Sequence, residues 1–71
     1  MTYRVSFKVL NHKAHISLED IEEAKRVAEY LSSALQNPVK IKQRVDADNR
    51  YKVIEIYSNG EKKPNLKGAN L

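Results

Sequence analysis

Cationic side chains stand at alternating positions of two short runs: Arg4 and Lys8 in the first, Lys40, Lys42 and Arg44 in the second. A third run carries Tyr51, Val53, Glu55 and Tyr57 at alternate positions. Period-two alternation sends such residues to one face of a sheet. Rows of cations can hold a phosphodiester backbone, and tyrosine rings can stack on unpaired bases, each stack worth about 1–3 kcal/mol. Those eight positions other than Glu55 (Arg4, Lys8, Lys40, Lys42, Arg44, Tyr51, Val53 and Tyr57) are the candidate binding residues. Glu55 stands among them and would repel phosphate.

Other chemistry is weakly supported. His12 and His15 lie three apart, ahead of Glu19 and Asp20, in what reads as a polar connection. A metal site needs three or four converging ligands, so none is expected. Asp46-Ala47-Asp48-Asn49 opens like a calcium loop, but it lacks the glycine and carries Tyr57 at the twelfth position. It reads as a hairpin turn. Gly60 and Gly68 are isolated, so no glycine-rich loop cradles phosphate. Ser32 and Ser33 have no base at a suitable spacing. No catalytic residue, cofactor or small-molecule substrate is expected, and the chain does not read as an enzyme.

The elements that position these residues follow from periodicity. Residues 3–10 alternate Tyr3, Val5, Phe7 and Val9 with polar neighbours, which suits a strand buried on one face. Residues 11–16 read as a polar connection, with Ser17 as helix N-cap. Ile21, Ala24, Ala28, Leu31 and Leu35 then recur at helical spacing, with Val27 and Ala34 at the margin of the stripe. Glu19, Asp20, Glu22 and Glu23 suit the positive end of the helix dipole, and Asn37-Pro38 stops the helix. Val39, Ile41 and Val45 mark a second strand, and Tyr51–Ser58 a third. Asn59-Gly60 marks a further turn.

The expected fold is α+β, a two-layer β-α-β-β domain over residues 1–58. One helix packs on a three-stranded, mainly antiparallel sheet, with the third strand between the first and the second (order 1-3-2). The inner face would carry Tyr3, Val5, Phe7, Val9, Val39, Ile41, Val45, Ile54 and Ile56. Residues 59–71 read as a basic, loosely ordered tail, with a short edge segment near 61–63.

Seventy-one residues make one domain with a small core. There is no cysteine to reinforce it. Thirteen Lys and Arg face nine Asp and Glu, and the excess is uneven. Residues 1–36 carry five of each sign, whereas 37–71 carry eight cations and four acids. Basic asymmetry favours acidic or polyanionic partners. No stretch approaches the roughly 18 apolar residues of a membrane span, and the N-terminal run lacks a signal peptide's apolar core. No membrane association is expected, and a cytoplasmic location is the default.

The basic, tyrosine-bearing face resembles the sheet surface of RNA-recognition modules, although their glycine-aromatic signature, second helix and fourth strand are absent. The order of elements is similar to the first half of a peptidoglycan-binding sporulation-related repeat, without its second half. The leading expectation is a small non-enzymatic binding or regulatory domain. It would act through its open sheet face, by protein–protein interaction or as a homodimer. The alternative is single-stranded nucleic-acid binding by the same face.

Overall fold

A computed structural model describes residues 2–45 and 50–63. Their order is β1 (Tyr3–Val9), β2 (His12–Leu18), α1 (Ile21–Leu35), β3 (Val39–Arg44), β4 (Tyr51–Ser58) and β5 (Glu61–Lys63). One helix covers one side of a sheet of order β2-β1-β3-β4-β5, with every neighbouring pair antiparallel. The α+β class and the single helix are as expected. The three-stranded sheet and its 1-3-2 order are not.

The difference begins at Leu10-Asn11. Both residues have positive φ, 51° and 68°, and they close a two-residue hairpin between β1 and β2. Such turns match the twist of the strands they join. Residues 12–18, expected to be connection and cap, therefore form a strand paired along its whole length with β1. Ser17 lies in that strand opposite Arg4 and caps nothing. The N-cap is Asp20, with extended backbone and an Oδ1 that accepts from the Glu22 N–H at 3.1 Å.

The added strand also reverses the expected polarity. The chain enters α1 from β2, so β3 returns parallel to β2 and antiparallel to β1. β1 fills the gap between those two strands and pairs directly with β3, so the place between β1 and β3 expected for the strand at Tyr51–Ser58 does not exist. That strand is β4, and it lies outside β3.

A second correction arises within β4. Ile41 pairs with Glu55, but the next residue, Lys42, pairs with Val53. Ile54 is the extra residue of a β-bulge. Because side chains alternate with period two, one inserted residue exchanges the two faces beyond it. Tyr51 and Val53 stay on the outer face. Glu55 and Tyr57 turn toward the helix, and Ile56, expected in the core, turns outward opposite Lys40.

The core beneath α1 is small. Val5, Val39 and Ile41 are fully buried against Ala24 and Ala28, with Tyr57 at 3% exposure. The two alanines let the helix lie close on the sheet. Tyr3, Phe7, Leu18, Ile21, Val27, Leu31 and Ile54 pack around this centre. Val45, expected in the core, lies past the end of β3 and is exposed; its N–H donates to the Arg50 carbonyl at 2.8 Å.

Beyond Ser58 the sheet continues through a second two-residue turn, Asn59-Gly60, again with positive φ at both positions (53° and 83°). Ser32, in the last turn of the helix and fully buried, holds this turn. Its Oγ donates to the Glu29 carbonyl at 3.1 Å and accepts from the Gly60 N–H at 2.8 Å. Gly60 has φ +83°, a conformation that strains any residue with a side chain, although a Cβ there would meet the Cβ of Ser33 only at an ordinary 3.4 Å. The expected turn at 46–49 and residues 64–71 of the expected tail lie outside the described residues.

Candidate nucleic-acid interface

The face of the sheet away from α1 can be built position by position from the register. β1 contributes Arg4, Ser6 and Lys8, which pair with Ser17, His15 and Lys13 of β2. On the other side of β1, Arg4 pairs with Lys42 and Ser6 with Lys40 of β3. Arg44, two residues on, pairs with Tyr51 of β4, and Lys42 pairs with Val53. Ile56 of β4 pairs with Lys63 of β5, and Ser58 with Glu61.

Seven cations thus share one face: Arg4, Lys8, Lys13, Lys40, Lys42, Arg44 and Lys63. Two acids border this face among the described residues: Glu61 on the edge strand, whose Oε1 lies 3.6 Å from Lys63 Nζ, and Glu19 just past β2, whose Oε2 accepts from Thr2 Oγ1 at 3.2 Å. The opposite side of the molecule is mixed in charge, with Lys25, Arg26, Lys52 and Lys62 among its acids. Glu22, Glu23 and Glu29 are exposed on α1, behind Asp20 at its start. The excess of positive charge therefore lies on the sheet face, and a polyanion approaching the molecule is steered there.

The cations line a relief rather than a flat plane. An open concavity of about 710 Å³ is bordered by Arg4, Lys8, Lys13, Lys40 and Lys42, with Ser6 and His15 among its other lining residues. Asn37, which donates from Nδ2 to the Lys8 carbonyl at 3.5 Å, and Pro38 close one end.

Arg4 is the most constrained of the cations. It lies on the interior strand β1, and its guanidinium carbon is 4.1 Å from the centroid of the Tyr51 ring, reaching across β3. At that distance the ring attracts the guanidinium by cation–π interaction of about 0.5–2 kcal/mol. Its Nε is enclosed and has no hydrogen-bond partner among the described residues.

Of the eight positions expected to bind, seven share this face: Arg4, Lys8, Lys40, Lys42, Arg44, Tyr51 and Val53. Tyr57 does not. The bulge turns it inward, where its hydroxyl donates to Glu55 Oε1 at 3.0 Å. Glu55 turns with it, which removes the one acid expected among the contacts. Its other oxygen lies 3.5 Å from Lys62 Nζ and 4.0 Å from Lys25 Nζ. Three face residues were missed: Lys13 and His15, because β2 was not read as a strand, and Lys63, because the edge segment expected near 61–63 was not followed to the face it presents. The signal for β2 was present as the alternation of Ala14, Ile16 and Leu18 with Lys13, His15 and Ser17. His12 and His15, three apart on a strand, point to opposite faces and do not converge.

Burial, and then the hydrogen bond to Glu55 with the negative charge of Glu55, push the Tyr57 hydroxyl up to about 12. The unfolded chain loses this proton near 10, so between about 10 and 12 it binds fewer protons than the folded one. The stability that Tyr57 contributes is therefore complete below pH 10 and falls by about 2–3 kcal/mol as pH rises through that window. Tyr57→Phe should cost about 2 kcal/mol at neutral pH, for a bond to a charged acceptor. The gap to the wild type should close above about pH 11.5. Urea unfolding of both proteins at about pH 8 and about pH 11.5 checks this, and a gap independent of pH contradicts it.

Comparison with family models, with curated proteins and with solved structures finds no match to this chain. No helix among the described residues is long and apolar enough to cross a membrane.

Proposed function

We propose that this protein is a non-enzymatic nucleic-acid-binding domain that grips the phosphodiester backbone with its open sheet face. The observation that carries this reading is the seven-cation face, where cations outnumber the two acids at its margins, Glu61 and Glu19. The departure of Glu55 from that face adds to it. The protein-partner reading uses the same surface, where Val53 is 36% exposed. Two copies meeting face to face, however, would bring two like-charged cation sets together, with Tyr57 and Glu55 of each turned away. A protein partner there must be acidic.

Binding of this kind is driven by counterion release, so its salt dependence reports the number of phosphates held. Five or so cations on phosphates of a single strand predict a slope of about −3.5 in a plot of log K against log salt. Anisotropy of a labelled oligonucleotide, titrated between about 50 and 200 mM salt, measures it. Absence of binding at the low end, or a slope near zero, would overturn the proposal.

A further inference from the structure

The nucleic acid that this face takes can be narrowed by the Arg4–Tyr51 stack, an inference that rests on the backbone-gripping reading above. We infer that the stacked guanidinium of Arg4 is a platform for an unpaired base, and that the ligand is therefore single-stranded.

Arg4 is half-buried on the interior strand β1, with Lys42 beside it on β3 and Arg44 two residues along. Its guanidinium lies over the Tyr51 ring at 4.1 Å. A guanidinium held in that way cannot swing out to chase a phosphate as a free lysine can. What it offers is a fixed plane, and arginine planes and aromatic rings are the surfaces on which splayed bases stack. In a duplex both faces of each base are already covered by its neighbours, so the platform finds no base there.

The enclosed Nε of Arg4 points the same way. It is a charged group's donor without a partner among the described residues, and an uncompensated buried donor costs about 1–3 kcal/mol. A fold retains that cost where the stack itself is needed, and a nucleotide uses that stack. Its base extends the stack, and its phosphate oxygens lie within reach of the neighbouring cations. The concavity bordered by Arg4, Lys8, Lys13, Lys40 and Lys42 supplies the path for the backbone. A concave track suits a flexible strand. A duplex groove is read by a convex element that enters it, such as a helix or a protruding ribbon.

The test uses the whole chain and two labelled probes: an oligothymidylate of about 12 nucleotides, and a blunt duplex of about 12 base pairs. The wild type should bind the single strand about tenfold or more tightly than the duplex at equal salt, the worth of one stacked base. Arg4→Lys keeps the charge and removes the plane. Tyr51→Leu keeps the bulk and removes the ring. Each should weaken single-strand binding by about five- to twentyfold and leave duplex binding within about twofold. Circular dichroism and a urea midpoint confirm that each variant is folded, and either folded variant suffices for the comparison. Duplex binding as tight as single-strand binding would overturn the inference while leaving the nucleic-acid reading standing. So would equal losses for both probes, or no loss for either. Failure to bind either probe would sink the reading on which the inference rests.

Discussion

The double variant Lys40→Glu/Lys42→Glu is expected to lose nucleic-acid affinity by at least about 100-fold at 100 mM salt while keeping its fold. The two lysines sit at adjacent outward positions of β3, the middle strand of the five. Lys40 lies opposite Ser6 and Ile56, and Lys42 lies opposite Arg4 and Val53. Reversal changes the local charge by four and places two carboxylates where phosphate must lie. The loss should be greatest at low salt and shrink as salt screens it. Stability should change little, since Lys40 is exposed and Lys42 half-buried. Anisotropy titrations at two salt concentrations, with a urea unfolding curve for each protein, measure both parts. A double variant that binds as the wild type does would show that the sheet face is not the binding surface.

The second large effect concerns stability. Ile41→Ala is expected to cost about 3–4 kcal/mol, for a fully buried side chain beneath the helix. That is a large share of what a 71-residue domain possesses, at roughly 0.05–0.15 kcal/mol per residue. Ile56→Ala should cost only about 1 kcal/mol, because the bulge at Ile54 sends Ile56 to the outer face. Without the bulge the same strand would bury Ile56 and expose Tyr57, and the two substitutions would cost alike. Urea midpoints of the two variants therefore read the phase of β4 directly. Equal losses would place Ile56 in the core and return Tyr57 and Glu55 to the outer face, and the interface would have to be redrawn with an acid at its centre.

The phase of β4 also explains what the interface owes to long-range structure. Nothing local distinguishes Tyr51 from Tyr57: both are tyrosines at odd positions of one apolar run. The strand alternates regularly on paper, and the skipped residue is set by how β4 registers against β3, where Ile41 faces Glu55 and Lys42 faces Val53. Tyr57 then finds a hydrogen-bond acceptor in Glu55, and Glu55 finds Lys62 and Lys25, so the polar groups drawn inward are satisfied there. The lysines come from β5 and α1, elements remote from one another in the chain.

What the sequence by itself determined is the local part. The helical stripe of Ile21, Ala24, Ala28, Leu31 and Leu35, its stop at Asn37-Pro38, the strands at β1, β3 and β4, and the outward set of Arg4, Lys8, Lys40, Lys42 and Arg44 all follow from period and propensity within a dozen residues, whereas the start of the helix, expected after Ser17, does not. Tertiary structure alone decided the rest. β2 has an alternation of its own, but its small Ala14 and two histidines make it weak, and the Leu10-Asn11 turn lacks the usual glycine. Only pairing along the full length of β1 makes that segment a strand. Once it is a strand, it reverses the direction in which the chain enters the helix and so the whole strand order. The bulge in β4 and the anchoring of Gly60 on Ser32 likewise depend on partners roughly 10 to 30 positions away. A local pattern sets which face of a strand is apolar; only the neighbouring strand sets where that pattern slips by one.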